Sequence, residues 1–144
     1  MKQGKRGLQL DRVVLLGRTF EEYRRYFLLK SDDLIGRKLL DVAGGVSSFC
    51  AEANNFGIKV IAFDPIYSLS VEKIRERCEP DLESVYRSIG QVPTYRWDFY
   101  QNPVYMRTFR ERAAAIFSQI SELILSVTCR ASCRDYHLMT ESLT

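Results

Sequence analysis

The stretch Asp41-Val42-Ala43-Gly44-Gly45-Val46-Ser47-Ser48-Phe49 decides how this chain folds. Leu39, Leu40 and Val42 form a short apolar run of the kind that makes a buried parallel strand. Ala43, Gly44, Gly45, Ser47 and Ser48 then place small side chains at five of six positions. Small residues let the backbone approach a ligand and let helix and strand close together. Residues 46–56 read as a helix, and Gly57 stands where a left-handed C-cap is wanted. Residues 58–63 read as a second buried strand, ended by Asp64 and Pro65. Strand, glycine turn, helix, strand and acidic residue make one β-α-β unit. The expected fold class is α/β: a partial Rossmann-like unit with extra N- and C-terminal helices and an incomplete parallel sheet.

Upstream, Thr19 opens a helix, with Glu22 at the capping-box spacing and Glu21 and Glu22 in the first turn, where the helix dipole favours acids. Phe20, Tyr23, Tyr26, Phe27 and Leu28 recur at helical spacing and predict one apolar face packed on the core. Downstream, residues 70–78 predict a helix ended by Pro80, and residues 81–88 a separate short one. Residues 90–93 form a turn. The aromatic stretch 95–100 reads as a helix start or an extended piece. Pro103 suits the first turn of a helix running through Arg107, Glu111 and the alanines at 113–115. Residues 123–127 either continue that helix or serve as a makeshift third strand.

The whole chain is of single-domain size. It has 144 residues, 46% hydrophobic and 27% charged, the balance of a globular protein. The net charge of +3 is too small to argue for nucleic acid, and the basic residues before Asp41 read as a solvated N-terminal face. No apolar run approaches the roughly 20 residues of a membrane span, and the basic N-terminus lacks the apolar core of a signal peptide. Four cysteines without a disulfide framework point to a reducing, cytoplasmic setting. Cys129 and Cys133, with His137 nearby, lack the paired ligand spacing of a zinc site, so no metal is expected.

Two carboxylates carry the chemistry. Asp41, at the end of the first strand, can accept a hydrogen bond from an amine or hold the loop. Asp64, at the tip of the second, is placed to accept both hydroxyls of a ribose, at roughly 20 residues from the turn. The nicotinamide frame fits poorly, because it reads Ala43-x-Gly45-x-x-Ser48 where G-x-G-x-x-G is wanted. No Walker-type Gly-Lys-Ser/Thr follows.

The pattern resembles the fingerprint of class I S-adenosylmethionine-dependent methyltransferases, an acidic residue followed by G-x-G-x-G. Asp41 stands at the acidic position, Ala43, Gly45 and Ser47 at the three glycine positions, and Asp64 at the acidic end of the second strand. With its Ala-Gly-Gly-x-Ser-Ser-Phe turn and Asp-Pro after the second strand, the chain is similar to an uncharacterised bacterial branch of that superfamily. In that branch a Phe-Glu-Glu-Tyr helix comes first, as Phe20 to Tyr23 does here. The resemblance covers about residues 10–115. It implies S-adenosylmethionine as cofactor, held by Asp41, Ala43, Gly44, Gly45, Ser47, Asp64 and Pro65, with Ile66 also beside the adenine. It identifies no catalytic residue and no methyl acceptor.

Three segments are therefore expected: a basic arm over 1–18, a partial cofactor-binding domain over 19–115, and an atypical tail over 116–144. In the family, a Leu-Pro-Phe segment and an acidic Phe-Asp pair follow the third strand, and the tail here lacks them. Read from the third codon base, the codons of Tyr136 to Thr144 allow Pro-Phe-Asp-Asp-Gly-Glu-Phe-Asp, and Met139-Thr140 forces one of those aspartates. The expectation is a frameshift somewhere after about Ala115, which the nucleotide sequence decides: a shifted frame that stops or spells something else removes the idea. The chain then reads as the N-terminal portion of a methyltransferase that binds cofactor, lacks the substrate half, and has no activity alone. Marginal stability and an exposed sheet edge follow from so small a sheet. The rival reading is a degenerate, non-catalytic module acting through a protein partner met by the basic N-terminal helix.

Overall fold

The computed structural model describes residues 10, 12–123 and 130–131. Helix α1 (Phe20–Tyr26) begins as its sequence dictates. The Thr19 hydroxyl accepts the Glu22 N–H, and the Glu22 carboxylate accepts the Thr19 N–H in return. The helix stops earlier than the aromatic spacing implies. Leu28 takes φ +52°, and Phe27 and Leu28 leave the apolar face to stand 64% and 85% exposed. Phe20 and Tyr23 remain packed on the core. A single turn, α2 (Ser31–Leu34), anchored by buried Leu34, leads into the sheet.

Strand β1 (Lys38–Val42), helix α3 (Phe49–Asn55) and strand β2 (Lys59–Phe63) form the expected unit, with β1 and β2 parallel and Lys38 opposite Lys59. Arg130–Ala131, as β3, pairs parallel with Ala62 and Phe63, giving the order β1-β2-β3. Among the described residues β1 is thus an edge. Its expected two-sided burial does not occur, and the period of two shows why. Leu39 and Asp41 share the inner face with Val60 and Ala62. Leu40 and Val42 alternate outward and are 39% and 62% exposed. Helix α3 starts at Phe49 rather than at residue 46, because the preceding residues are taken up by the turn. It ends where expected, with Gly57 at φ +75°.

The two helices predicted around Pro80 are one helix, α4 (Val71–Ile89). Pro80 removes the N–H that would bond the Glu76 carbonyl, normally a cost of about 3 kcal/mol. Both residues lie on the exposed face, where water can reach that carbonyl. The buried stripe of Val71, Ile74, Leu82, Val85 and Ile89 runs straight through the proline, and its burial favours continuity. Asp81, fully buried, binds the chain before α1: its carboxylate accepts from Arg12 and from the Leu15 N–H at 2.8 Å.

Helix α5 (Pro103–Leu123) begins at Pro103 as expected and runs past residue 115 without a break. The aromatic stretch 95–100 is neither helix nor strand; its rings pack on the α4–α5 pair beside Val85, Met106 and Phe109. Residues 124–127, and Cys129, Cys133 and His137, lie outside the described residues. The α1 end and α5 are joined by a buried polar knot, in which the Glu22 carboxylate accepts from Arg110 and from the Tyr100 hydroxyl. Arg110 also donates to the Gly17 carbonyl at 2.8 Å.

Candidate functional site

The turn after β1 is built from backbone strain and cross-strand hydrogen bonds. Ala43 and Gly45 both take left-handed conformations, φ +60° and +56°, and Ala43 does so at a cost that glycine escapes. The turn is fastened to the end of β2. The Ala43 N–H donates to the Phe63 carbonyl at 2.7 Å, and the Gly44 N–H to the same oxygen at 3.4 Å. The Gly45 N–H donates to Asp64 Oδ2 at 2.9 Å.

Asp64 therefore points into the turn. Its two oxygens are engaged by backbone: Oδ1 accepts the Ile66 N–H at 2.9 Å and caps the 3-10 helix Pro65–Ser68. Pro65, exposed, opens that helix, and Ile66 packs with Leu15, Val46, Ile74 and Phe117. Tyr67 lies over the turn and donates its hydroxyl to the Gly45 carbonyl at 2.7 Å.

Ser47 is engaged by backbone. Its hydroxyl donates to the Arg18 carbonyl at 2.7 Å and accepts the Phe49 N–H at 3.0 Å, starting α3. The Ser48 N–H donates to the same Arg18 carbonyl at 3.0 Å. These serines tie the turn to the residues that lead into α1.

Asp41 is the unusual group. It is 7% exposed, and Oδ1 accepts the Tyr23 hydroxyl at 2.9 Å. Oδ2 is buried with no hydrogen-bond partner among the described residues. Buried polar atoms are ordinarily bonded, so a lone one marks a place where something else belongs. Burial pushes the Asp41 carboxyl up; the Tyr23 hydrogen bond pulls it down, and the neighbouring Asp64 charge adds to the rise. The Tyr23 phenol is pushed up in turn, by burial first and then by the Asp41 charge. Gly44 is packed close to this oxygen, and only its lack of a side chain allows it: a Cβ there would sit 2.9 Å from Asp41 Oδ2 and 3.1 Å from the Tyr67 hydroxyl.

Tyr23 and Tyr67 are the site residues that the sequence hid. Tyr23 reads as a core aromatic, and it does stack on Phe49 with centroids 4.3 Å apart. Its bond to Asp41 spans 18 residues and has no local signature. Two cavities lie elsewhere. One of about 370 Å³ lies between α4 and α5 against Leu15 and Leu82, and one of about 490 Å³ lies beside Phe20, Phe56 and Arg112. Among the described residues no group of three or more histidine, cysteine or acidic side chains is placed to hold a metal ion. No described helix is long and apolar enough to cross a membrane.

No family model matches the chain, and no solved structure matches it. It is similar to a curated protein of Methanocaldococcus jannaschii, the uncharacterised protein MJ0045, with 40% identity over 114 residues. That match takes in 78% of this chain and 51% of the archaeal protein. The chain spans about half the length of the curated relative it matches.

Proposed function

We propose that the turn after β1 is an S-adenosylmethionine site, and that the chain is the cofactor-binding portion of a Rossmann-like methyltransferase. The single observation that carries this reading is Asp41 Oδ2, a buried carboxylate oxygen in want of a donor beside a second carboxylate. Such a place suits a cation and repels an anion. The N–H groups of Ala43, Gly44 and Gly45 are already bonded to Phe63 and Asp64, so the turn offers none of them to a phosphate. A ligand with an ammonium, a sulfonium and no phosphate fits where a dinucleotide does not.

In this reading Asp41 accepts the ligand's ammonium, and Gly44, which has no side chain, lets the two approach. Asp64, rigid through its two backbone bonds, keeps unused lone pairs for ribose hydroxyls. Ala43 and Gly45 line the ligand, Ser47 holds the turn, and Pro65 borders the base. When bound, the cofactor supplies a methyl group on a positive sulfur, which makes it transferable to a nucleophile held in line. No described residue stands out as a base for that nucleophile. The substrate half lies outside this portion, which has no methyl-transfer activity alone.

Isothermal titration with S-adenosylmethionine and with NAD tests the reading. Binding of the first, abolished in Asp41→Asn and weakened in Asp64→Ala, supports it. Binding of NAD instead, or of neither, overturns it. A second reading, a non-catalytic module acting through a protein partner, is favoured by the outward row of Ile35, Leu40 and Val42, 59%, 39% and 62% exposed along the β1 edge. It gains if neither ligand binds.

A further inference from the structure

Asp41 is not oriented by its own strand. The one hydrogen bond to its carboxylate among the described residues comes from Tyr23, on a helix outside the β-α-β unit. That helix is held firmly. The Thr19–Glu22 capping box fixes its first turn, and Arg110 and Tyr100 clamp Glu22 from α5 and the preceding loop. Ser47 and Ser48 fasten its leading residue Arg18 to the turn itself. The Tyr23 ring lies flat on Phe49, the first residue of α3, with an interplanar angle of 10°.

A carboxylate can rotate about its terminal torsion, which is broad and nearly two-fold. With Oδ1 tied to Tyr23, that rotation is restrained, and Oδ2 lies on the Gly44 side, 2.9 Å from where a Gly44 Cβ would stand. Resting on the cofactor reading above, we propose that Tyr23 is a positioning residue: it holds the Asp41 carboxylate so that Oδ2 faces the turn and receives the ligand's ammonium. The sequence-derived site, confined to 41–65, is then completed by α1.

The groups that face Asp41 are Tyr23 from α1, Asp64 from the end of β2, and Tyr67, whose hydroxyl lies on the Gly44 side, from the 3-10 helix. Asp64 opposes the carboxylate form and Tyr23 supports it. Removing the Tyr23 hydroxyl therefore acts on ligand affinity and on the Asp41 proton together, in predictable directions.

Tyr23→Phe keeps the ring on Phe49 and deletes the donor. Two readouts are compared with the wild-type chain: affinity for S-adenosylmethionine by titration calorimetry, and the Asp41 carboxyl midpoint by carbon-13 NMR without ligand. The expected result is a roughly tenfold loss of affinity, the size of one hydrogen bond, with the Asp41 midpoint moved to higher pH. A variant with both quantities unchanged overturns the proposal, as does one that loses affinity only in proportion to lost folding. If Asp41→Asn abolishes binding while Tyr23→Phe does not weaken it, the cofactor reading stands and the positioning role falls. If the wild type binds no cofactor, the cofactor reading falls, and the midpoint alone decides whether Tyr23 governs Asp41.

Discussion

Asp64 Oδ2 accepts the Gly45 N–H at 2.9 Å, so the tip of the second strand holds the turn that follows the first. Its other oxygen holds Ile66. Asp64→Ala removes acceptors from two backbone N–H groups at once. Both bonds are only part-buried, so each loss costs about 0.5–1.5 kcal/mol, and about 1–3 kcal/mol in all is expected in denaturant unfolding. Asp64→Asn keeps one oxygen and should fall between. An alanine variant as stable as wild type would show that the Ala43 and Gly44 bonds to the Phe63 carbonyl hold the turn without Asp64.

Adjacent glycines fail for different reasons. A Cβ on Gly45 meets nothing within 4 Å, but its φ of +56° disfavours any L residue. Gly45→Ala should cost about 1–2 kcal/mol of stability through backbone alone. A Cβ on Gly44 presses on Asp41 Oδ2 and the Tyr67 hydroxyl. Gly44→Ala should abolish binding, because a Cβ there displaces Asp41 Oδ2 from the position that receives the ammonium. Unchanged affinity in Gly44→Ala would refute the assignment of Oδ2 as the contact.

Asp41 should trade stability against binding. Burial, with Asp64 beside it, raises its carboxyl above the usual range. A carboxyl raised on folding stabilises the fold when protonated, so its contribution is present at acid pH and is lost as pH rises through the folded value. Asp41→Asn carries no charge and keeps an oxygen for Tyr23. It should melt at a higher temperature than wild type at pH 7, and the two should converge below about pH 4, the ordinary carboxylate range. Ligand affinity runs the other way, falling in wild type as pH drops through the same value. A less stable Asp41→Asn at pH 7 would mean that the orphan oxygen has a partner within the fold.

The Glu22–Arg110 pair is fully enclosed, with side chains 0% and 4% exposed, whereas Glu21–Arg25 on the same helix is open to water. Removing one partner of a buried pair strands the other, at about 3–5 kcal/mol; removing an exposed one costs less than about 1 kcal/mol. Chemical denaturation of Glu22→Gln and Glu21→Gln should separate them by that margin. Similar losses would place Glu22 in contact with water.

What could be read from the sequence followed local rules. The Thr19–Glu22 box, the Pro103 start, the left-handed Gly57 and the pairing of two parallel strands around a glycine turn all depend on neighbours in the chain. Pro80 misled because a proline rule about one residue lost to a buried stripe nineteen residues long. Leu40 and Val42 misled because an apolar run does not say which of its residues face the core. The acids at 41 and 64 were legible as a pair. The Tyr23 and Tyr67 hydroxyls were not, since a tyrosine packed for its ring looks the same in sequence as one that also directs a carboxylate.

The β1 edge makes the last prediction. Edge strands present unpaired backbone groups, and exposed apolar residues beside them invite another chain. Leu40 and Val42 point outward from β1, and Ile35 stands exposed just before it. The isolated chain should associate as its concentration rises, measured by sedimentation velocity. Val42→Lys should suppress this without lowering the melting temperature, because Val42 is already 62% exposed and lysine on an edge deters pairing. If Val42→Lys associates as the wild type does, the contact lies on another face. If the wild type stays monomeric and melts in one sharp transition, this edge is covered by the chain itself.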